Sequence, residues 1–444
     1  MSNAIRIFDD VAEAQRTILR RAAWDDQALP ASLLDGIEGI FGRRLTPQEA
    51  VSHVLQDVRW RGDAALRDWS LRIDETALDE IRVPQAEVQV AAGGLPPTLL
   101  EALHLAASRL EQFHRRQPAG SWMDVTPGGT LGQIVRPLQR VGIYVPAGSA
   151  PLPSSLIHCA VPARVAGVPE VYVCTPADRA TGRVAPLTLA AAQVAGVQAV
   201  FTLGGAQAIG AMAYGTESVP RVDKIVGPGG LFVTLAKRQV FGQVGIDGLP
   251  GPTETMVIAD ETADPAVAAA DLLAQAEHDV LASAILLTPS RDMAVRVQIE
   301  VARQLEALSR AEVAAASLAG RGGIVLTEDV EQAVVLANAY APEHLCLLTA
   351  EPWRLVGRIE NAGGIFVGEH SFEVLGDYVA GPSHVMPTEG TARFASPLSV
   401  ADFVKRISLI ALEPAEGRRL SAPAALLAEG EGLTAHAAAA RARL

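Results

Sequence analysis

Glu343 and His344 stand side by side in Ala341-Pro342-Glu343-His344-Leu345, a carboxylate next to an imidazole at the mouth of an apolar run that reads as a buried strand. Such a pair can do acid/base chemistry in two separate steps. In an extended strand, neighbouring side chains point to opposite faces, so these two serve one substrate only if the backbone bends; Pro342 predicts a loop-to-strand corner there. A second group offers metal chemistry. Asp264 and Pro265 form an N-cap and first-turn pair for a helix running from Ala266 to Glu277, and Gln275 and His278, three apart, share one face of it. With Asp377 and His436 they make a mixed nitrogen and oxygen set that suits zinc or a similar divalent ion, provided the fold brings the four together. Spacing alone does not bring them together: a Glu-His dipeptide is most simply a solvated loop end, and a lone Gln-x-x-His is polar surface.

The elements that must position these residues follow from the hydrophobic pattern. Short apolar runs at Val171 to Cys174, 199 to 203, Lys224 to Val226, Thr255 to Ala259, Ala284 to Leu287, Ile324 to Leu326 and Gly364 to Val367 alternate with longer helical stretches rich in alanine and leucine. This predicts α/β layering with parallel sheets, and the number of runs predicts two α/β domains. Gly248-Leu249-Pro250-Gly251-Pro252-Thr253 reads as the crossing between them. The run ending at Leu203 enters Gly204-Gly205-Ala206-Gln207, a glycine turn opening a small-residue helix, and Gly227-Pro228-Gly229-Gly230 is a second glycine turn. Either could present backbone N–H groups to a pyrophosphate. No G-x-G-x-x-G stands between a strand and a helix, so the ordinary dinucleotide fingerprint is absent. Ser421 to Leu444 is alanine-rich, helix-prone and interrupted at Glu429-Gly430-Glu431-Gly432, a terminal arm in need of a docking surface.

Composition narrows the class. With 444 residues, 49% hydrophobic and 20% charged, the chain can bury a large core and is neither disordered nor membrane-like. A net charge of -13 with both signs interspersed argues against a nucleic-acid surface and favours a small-molecule substrate. No 18-residue apolar run appears, and Met1 to Asp10 lacks a basic start followed by an apolar stretch, so no membrane partner and cytoplasmic residence are expected. Cys159, Cys174 and Cys346 form no C-x-x-C pair, which fits a reducing compartment. Cys174 and Cys346 read as small core residues. A nucleophilic role for Cys346 would need a lowered pKa, and only His344 stands near it to provide one.

Together the motifs closely resemble the histidinol dehydrogenase family over nearly the whole chain. The resemblance runs through Val141-Gly142-Ile143-Tyr144-Val145-Pro146-Ala147-Gly148-Ser149-Ala150-Pro151-Leu152, GGAQAI at 204–209, AYGTE at 213–217 and VDKIVGPG at 222–229. It continues through GPTET at 251–255, QAEHD at 275–279, APEHL at 341–345, GDYVAGPSHVMPT at 376–388 and EGLTAH at 431–436. It implies two Rossmann-like α/β domains with incomplete dinucleotide fingerprints and a helical C-terminal arm exchanged in a homodimer. The implied boundaries are an N-terminal arm at 1–24, a discontinuous domain of 25–140 with 252–397 carrying the metal and acid/base residues, an NAD-side domain at 141–251, and a dimerisation arm at 398–444.

The implied activity is the four-electron oxidation of L-histidinol to L-histidine through L-histidinal with two NAD+. Gln275, His278 and Asp377 would ligate one Zn2+ per subunit, completed by His436 of the partner subunit, and this set would also meet the substrate. Glu343 and His344 would be the acid/base residues. Ser154, Thr253, His384 and the partner subunit's Glu431 would line the pocket; Tyr144, Gln207 and Gly230 match cofactor positions.

This chain departs from the family pattern at Gly230, where an Asn that helps hold the cofactor is common, at Pro250 in place of Ala, and at Thr253 in place of a Ser whose hydroxyl it keeps. His158 matches no family role and reads as a satisfied polar residue on a helix. One rival reading is a paralogue oxidising another primary alcohol, such as a sulfonated propanediol. Against it stand ASPLSVADFVKR at 395–406 and LGDYVAGPSHV at 375–385, which resemble the histidinol enzymes. The other is a non-catalytic metal-bound dimer, against which stands the presence of every acid/base and ligand type at matching positions.

Overall fold

The computed structural model describes residues 5–21, 31–147 and 151–444. Gly148, Ser149 and Ala150 of the 141–152 motif lie outside the described residues, as do 1–4 and 22–24 of the expected N-terminal arm. Among the described residues the strands are β1 (Ile7–Phe8), β2 (Trp122–Thr126), β3 (Gly129–Pro137), β4 (Arg140–Tyr144), β5 (Glu170–Thr175), β6 (Ala199–Thr202) and β7 (Lys224–Val226). They continue with β8 (Gly245–Ile246), β9 (Glu254–Ala259), β10 (Ser283–Thr288), β11 (Gly323–Leu326), β12 (His344–Leu348), β13 (Gly364–Val367) and β14 (Val404–Leu412).

Two sheets are parallel throughout, one ordered β6-β5-β4-β7-β8 and the other β1-β11-β10-β9-β12-β13. Both are wound about a central strand: β4 has β5 and β6 on one side and β7 and β8 on the other, β9 has β10 and β11 on one side and β12 and β13 on the other, and β1 adds an edge strand beside β11. Every apolar run picked out from the sequence is a strand. The reason is burial on both faces, complete along β9, β10 and β12, which leaves no polar alternation. The Gly248–Thr253 seam joins β8 to β9 and so crosses from one sheet to the other.

The C-terminal arm corrects the helical expectation. Val404–Leu412 is a strand, antiparallel to β3 from Val404 opposite Pro137 to Leu412 opposite Gly129, and only then come the helices Pro414–Gly430 and Thr434–Arg441. Val404, Ile407 and Ile410 are β-branched and favour the extended form, and Pro414 sits at the first helical turn, where it starts the helix cleanly. The N-terminal helices also group differently from expectation. Pro47–Arg61 and Asp63–Ile73 share a core with Phe201, Ile209 and Val233, and Pro97–His114 shares one with Leu156, Ile157 and Val173, so both cores belong to the β4–β8 sheet. No helix of the described residues is long and apolar enough to cross a membrane.

One buried ion pair sets the shape of the second glycine turn. Lys237, 1% exposed, pairs with Asp247 and donates to Gly227 O at 3.1 Å, while Asp247 accepts from Gly227 N at 2.7 Å and Gly248 N at 2.8 Å. Gly227 itself has φ +108°, and a Cβ there would stand 2.3 Å from Tyr144 O, so only glycine fits. Lys237→Ala would leave Asp247 buried without its cation, and a loss of roughly 3–5 kcal/mol is expected in urea unfolding. A loss under about 1 kcal/mol, the range of an exposed pair, would show that water reaches the site.

Candidate active site

The corner before β12 is built by the end of a helix. Helix Val330–Tyr340 stops at Ala341, a non-glycine residue in the left-handed region at φ 53°, and β12 begins three residues later at His344. The bend foreseen at Pro342 therefore starts one residue earlier. Gly363 N then donates to Pro342 O at 2.9 Å and Gly364 N to Glu343 O at 2.8 Å, stitching the corner to β13. With the backbone so turned, Glu343 Oε2 and His344 Nδ1 come within 3.8 Å of each other.

Residues at the start of β9 hold both side chains. Glu343 Oε2 accepts from Thr253 Oγ1 at 2.6 Å and from Glu254 N at 3.1 Å. His344 Nδ1 lies 3.0 Å from Glu254 O. A carbonyl only accepts, so this contact, shorter than the 3.3 Å approach of Gln275 Nε2 to the same atom, puts the neutral ring's proton on Nδ1 and its lone pair on Nε2. Nε2 is buried without a hydrogen-bond partner, 3.6 Å from Asp377 Oδ1. Burial raises the Glu343 carboxyl above the usual carboxylate range. Burial opposes charge on His344 too, but Glu343 and Asp377 outweigh it and push the imidazole up. Cys346, 1% exposed on the same strand, has its thiol held far above its ordinary value by burial, which removes it as a nucleophile.

The expected metal donors converge in part. Gln275 is buried at the last turn of helix Pro265–Ala276, donating through Nε2 to Thr253 Oγ1, which leaves its amide oxygen as the atom able to ligate. His278 lies just past that helix, where its N–H closes a tight turn on Gln275 O at 3.2 Å, so it is exposed and off the helical face expected for it. Asp377, on helix Glu373–Tyr378, interacts electrostatically with His344, His384 and His278; burial opposes its charge, yet the approach of His344 and of the other two imidazoles holds it below its ordinary value. His436 and Glu431 sit exposed on the terminal helical hairpin. Among the described residues, no three His, Cys, Asp or Glu side chains of this chain gather as a metal site.

Two groups at this site had no assigned role from the sequence. His158, fully buried on helix Pro153–Val165, accepts from His384 N through Nδ1 at 3.0 Å, faces Tyr378 O through Nε2 at 3.3 Å, and packs edge-on against the His384 ring at 4.3 Å. It is the satisfied helical histidine expected, and it fixes His384. Ser154, one turn earlier on that helix, is on the same face. Glu373, fully buried, accepts from Thr255 Oγ1 at 2.6 Å and is pushed up to about 8 by burial. Thr255 is the β9 partner of His344, so Glu373 is coupled to the acid/base pair through the sheet register. A glutamate in Phe372-Glu373-Val374 carries no sequence signal of this.

The other wall comes from the C-terminal edge of the β4–β8 sheet. Tyr144 ends β4 and its hydroxyl accepts from Gly205 N at 3.1 Å. Gln207, 0% exposed, donates to Asp74 at 2.9 Å, and burial raises that carboxyl to about 6. Gly204 and Gly230 are the N-caps of helices Gly205–Tyr214 and Leu231–Val240, so two helix starts open on this edge. Ligands of open parallel sheets bind at this edge, where the winding reverses. Glu343 and His344 instead lie at the N-terminal edge of the second sheet. The short Asp247–Thr253 seam and the contacts of His158 with Tyr378 and His384 bring the two edges together.

Residues 44–444 match the family model described as histidinol dehydrogenase. A histidinol dehydrogenase of Deinococcus radiodurans is 52% identical over 435 residues, covering 98% of each chain. One of Thermus thermophilus is 52% identical over 392 residues, covering 88% of this chain and 93% of that one. The crystal structure of histidinol dehydrogenase from Elizabethkingia anophelis superposes with a TM-score of 0.90 at 33% identity, covering 99% of this chain and 98% of that one.

The chain belongs to the histidinol dehydrogenase family. It is thus an enzyme of the oxidoreductase kind. Two features of this member bear on the ligands the family resemblance implies. A Cβ at Gly230 would meet nothing within 4 Å, so the Asn common in the family has room there and its absence leaves the turn's backbone unobstructed. The donor types near Asp377 also fit a divalent ion: an amide oxygen from Gln275, an ionised Asp377 and the imidazole of His278, while the Nε2 atoms of His344 and His384 are buried without a hydrogen-bond partner. This is a mixed nitrogen and oxygen set.

Proposed function

We propose that the protein oxidises L-histidinol to L-histidine through L-histidinal, reducing two NAD+, in the last steps of histidine biosynthesis. The observation that carries this reading is the double hold on the acid/base pair: one residue, Glu254, donates its N–H to Glu343 and accepts at its C=O from His344. NAD+ would lie across the C-terminal edge of β4–β8, with Tyr144, Gln207 and the turn at Gly230 as contacts. Gln275, His278 and Asp377 would hold Zn2+ together with His436 of the partner subunit. When bound, the ion would fix the substrate's imidazole and amino nitrogens and offset the Asp377 charge that raises His344. Ser154, Thr253, His384 and the partner subunit's Glu431 would line the pocket.

In the first oxidation His344 Nε2 accepts the hydroxyl proton as the carbinol hydride moves to the nicotinamide and the C=O bond forms. The Glu254 carbonyl keeps that lone pair on Nε2. Oε2 of Glu343 is occupied by two donors, so Oε1 takes the proton of the water that adds to the aldehyde, and a carboxyl raised by burial is basic enough to do so. As the water's hydroxyl adds, the aldehyde oxygen takes back the proton held by His344, which frees Nε2; the hydrate then gives a proton to His344 and a hydride to the second NAD+. Exchange of the C-terminal arms in a homodimer is supported by Ile407, Ile410 and Leu412 on β14 and by Leu426, Leu427 and Leu433 beyond it, all exposed in one chain. Three free buried cysteines accord with a reducing, cytoplasmic setting.

The test counts NADH formed per L-histidinol by zinc-loaded protein, before and after chelation. Two per substrate, lost with the metal and restored by zinc, is the expected result. Folded dimer that makes no NADH from L-histidinol would overturn the reading and turn attention to other primary alcohols.

A further inference from the structure

The guanidinium of Arg21 reaches the acid/base corner from the N-terminal segment. Its Nε and Nη2 donate to Tyr340 O at 2.9 and 2.8 Å, and Nη2 lies 3.3 Å from Ala341 O. It pairs with both carboxylate oxygens of Glu254, through Nη1 and, at 2.8 Å, through Nη2. The same group stacks 3.5 Å above the Tyr340 ring. Each contact answers a need of the corner. The carbonyls of Tyr340 and Ala341 end a helix and have no partner further along it, and the negative end of the helix dipole favours a cation there. Ala341 holds a left-handed conformation that costs a non-glycine residue roughly 1 kcal/mol and persists only where its surroundings enforce it.

Two arms therefore leave Arg21 and close on the same pair. One fixes Ala341, two residues before Glu343. The other fixes the side chain of Glu254, whose backbone N–H and C=O hold Glu343 and His344 respectively. We infer that Arg21 is a positioning residue for the reaction, a clamp whose planar, bidentate guanidinium sets the relative placement of Glu343 and His344. A lysine can supply the charge but not the fork that spans two carbonyls and a carboxylate. This role rests on the proposed reading of Glu343 and His344 as the acid/base pair.

The test compares NADH formation from L-histidinol by wild type, Arg21→Lys and Arg21→Ala, with millimolar guanidinium chloride as the rescuing probe. Arg21→Ala should lower kcat about 10- to 100-fold, as loss of a supporting contact does, with KM for NAD+ unchanged. Added guanidinium should restore part of that kcat, and Arg21→Lys should fall between. A merely structural role would give no rescue, and folded Arg21→Ala whose lost kcat guanidinium leaves untouched overturns the inference, as does wild-type kcat in either variant. Should Arg21→Ala fail to fold, Arg21→Lys decides: reduced kcat at unchanged KM for NAD+ supports the clamp, and wild-type kcat overturns it. Wild type that forms no NADH overturns the functional reading and the clamp with it, whereas active wild type with unaffected variants overturns the clamp alone.

Discussion

His344→Asn is expected to lose about 10^2- to 10^4-fold in both oxidations, the range that a positioned acid/base group contributes. The substitution isolates the chemistry from the fold. An Asn amide can still donate to Glu254 O in place of Nδ1, so the start of β12 keeps its hydrogen bond. What disappears is the lone pair at Nε2, the partnerless buried atom that lies 3.6 Å from Asp377. Two neighbouring groups cannot replace it: Cys346 is held as a neutral thiol by burial, and the His158 ring has both nitrogens engaged. Single-turnover NADH formation from L-histidinol and, separately, from L-histidinal would read the two steps. Retention of wild-type aldehyde oxidation in the variant would contradict a shared base.

The central strands of the two parallel sheets were legible in the sequence because both their faces are covered, so they read as apolar runs, whereas the two-residue edge strands β1 and β8 were not. The β2–β3–β14 ribbon was not, since Trp122–Thr126 is exposed on both faces and Val404–Leu412 nearly so. Without burial there is no pattern for periodicity to find. The corner that brings Glu343 and His344 together was legible for a local reason, Pro342 beside two titratable side chains. Its support was not, because Arg21 meets Glu254 from 233 residues away and Glu373 meets Thr255 from 118 away. Gln275 and His278 show the limit of spacing. They stand three apart as a helical pair would, but the helix ends between them, burying one and exposing the other. Which edges of the two sheets come together was equally hidden, since it depends on the seam joining the end of β8 to the start of β9.

Glu343→Gln separates the two oxidations. A glutamine oxygen can accept from Thr253 Oγ1 and Glu254 N as Glu343 Oε2 does, so the corner should keep its shape. The nitrogen that replaces the other oxygen cannot take a proton from water. Aldehyde oxidation is therefore expected to fall about 10^2- to 10^4-fold. Alcohol oxidation uses His344 alone, but the variant removes the carboxylate 3.8 Å from Nδ1 that helps raise the imidazole. A less basic His344 accepts the alcohol proton less readily, and a change of about tenfold or less is expected there, the worth of one pKa unit. The variant should then form NADH from L-histidinol in a first phase and stall, releasing an aldehyde that a hydrazine reagent can trap. Stopped-flow NADH traces with and without that reagent make the measurement. Equal loss in both phases would mean that Glu343 serves His344 in each step and activates no water, and the division of labour between the two side chains would have to be abandoned.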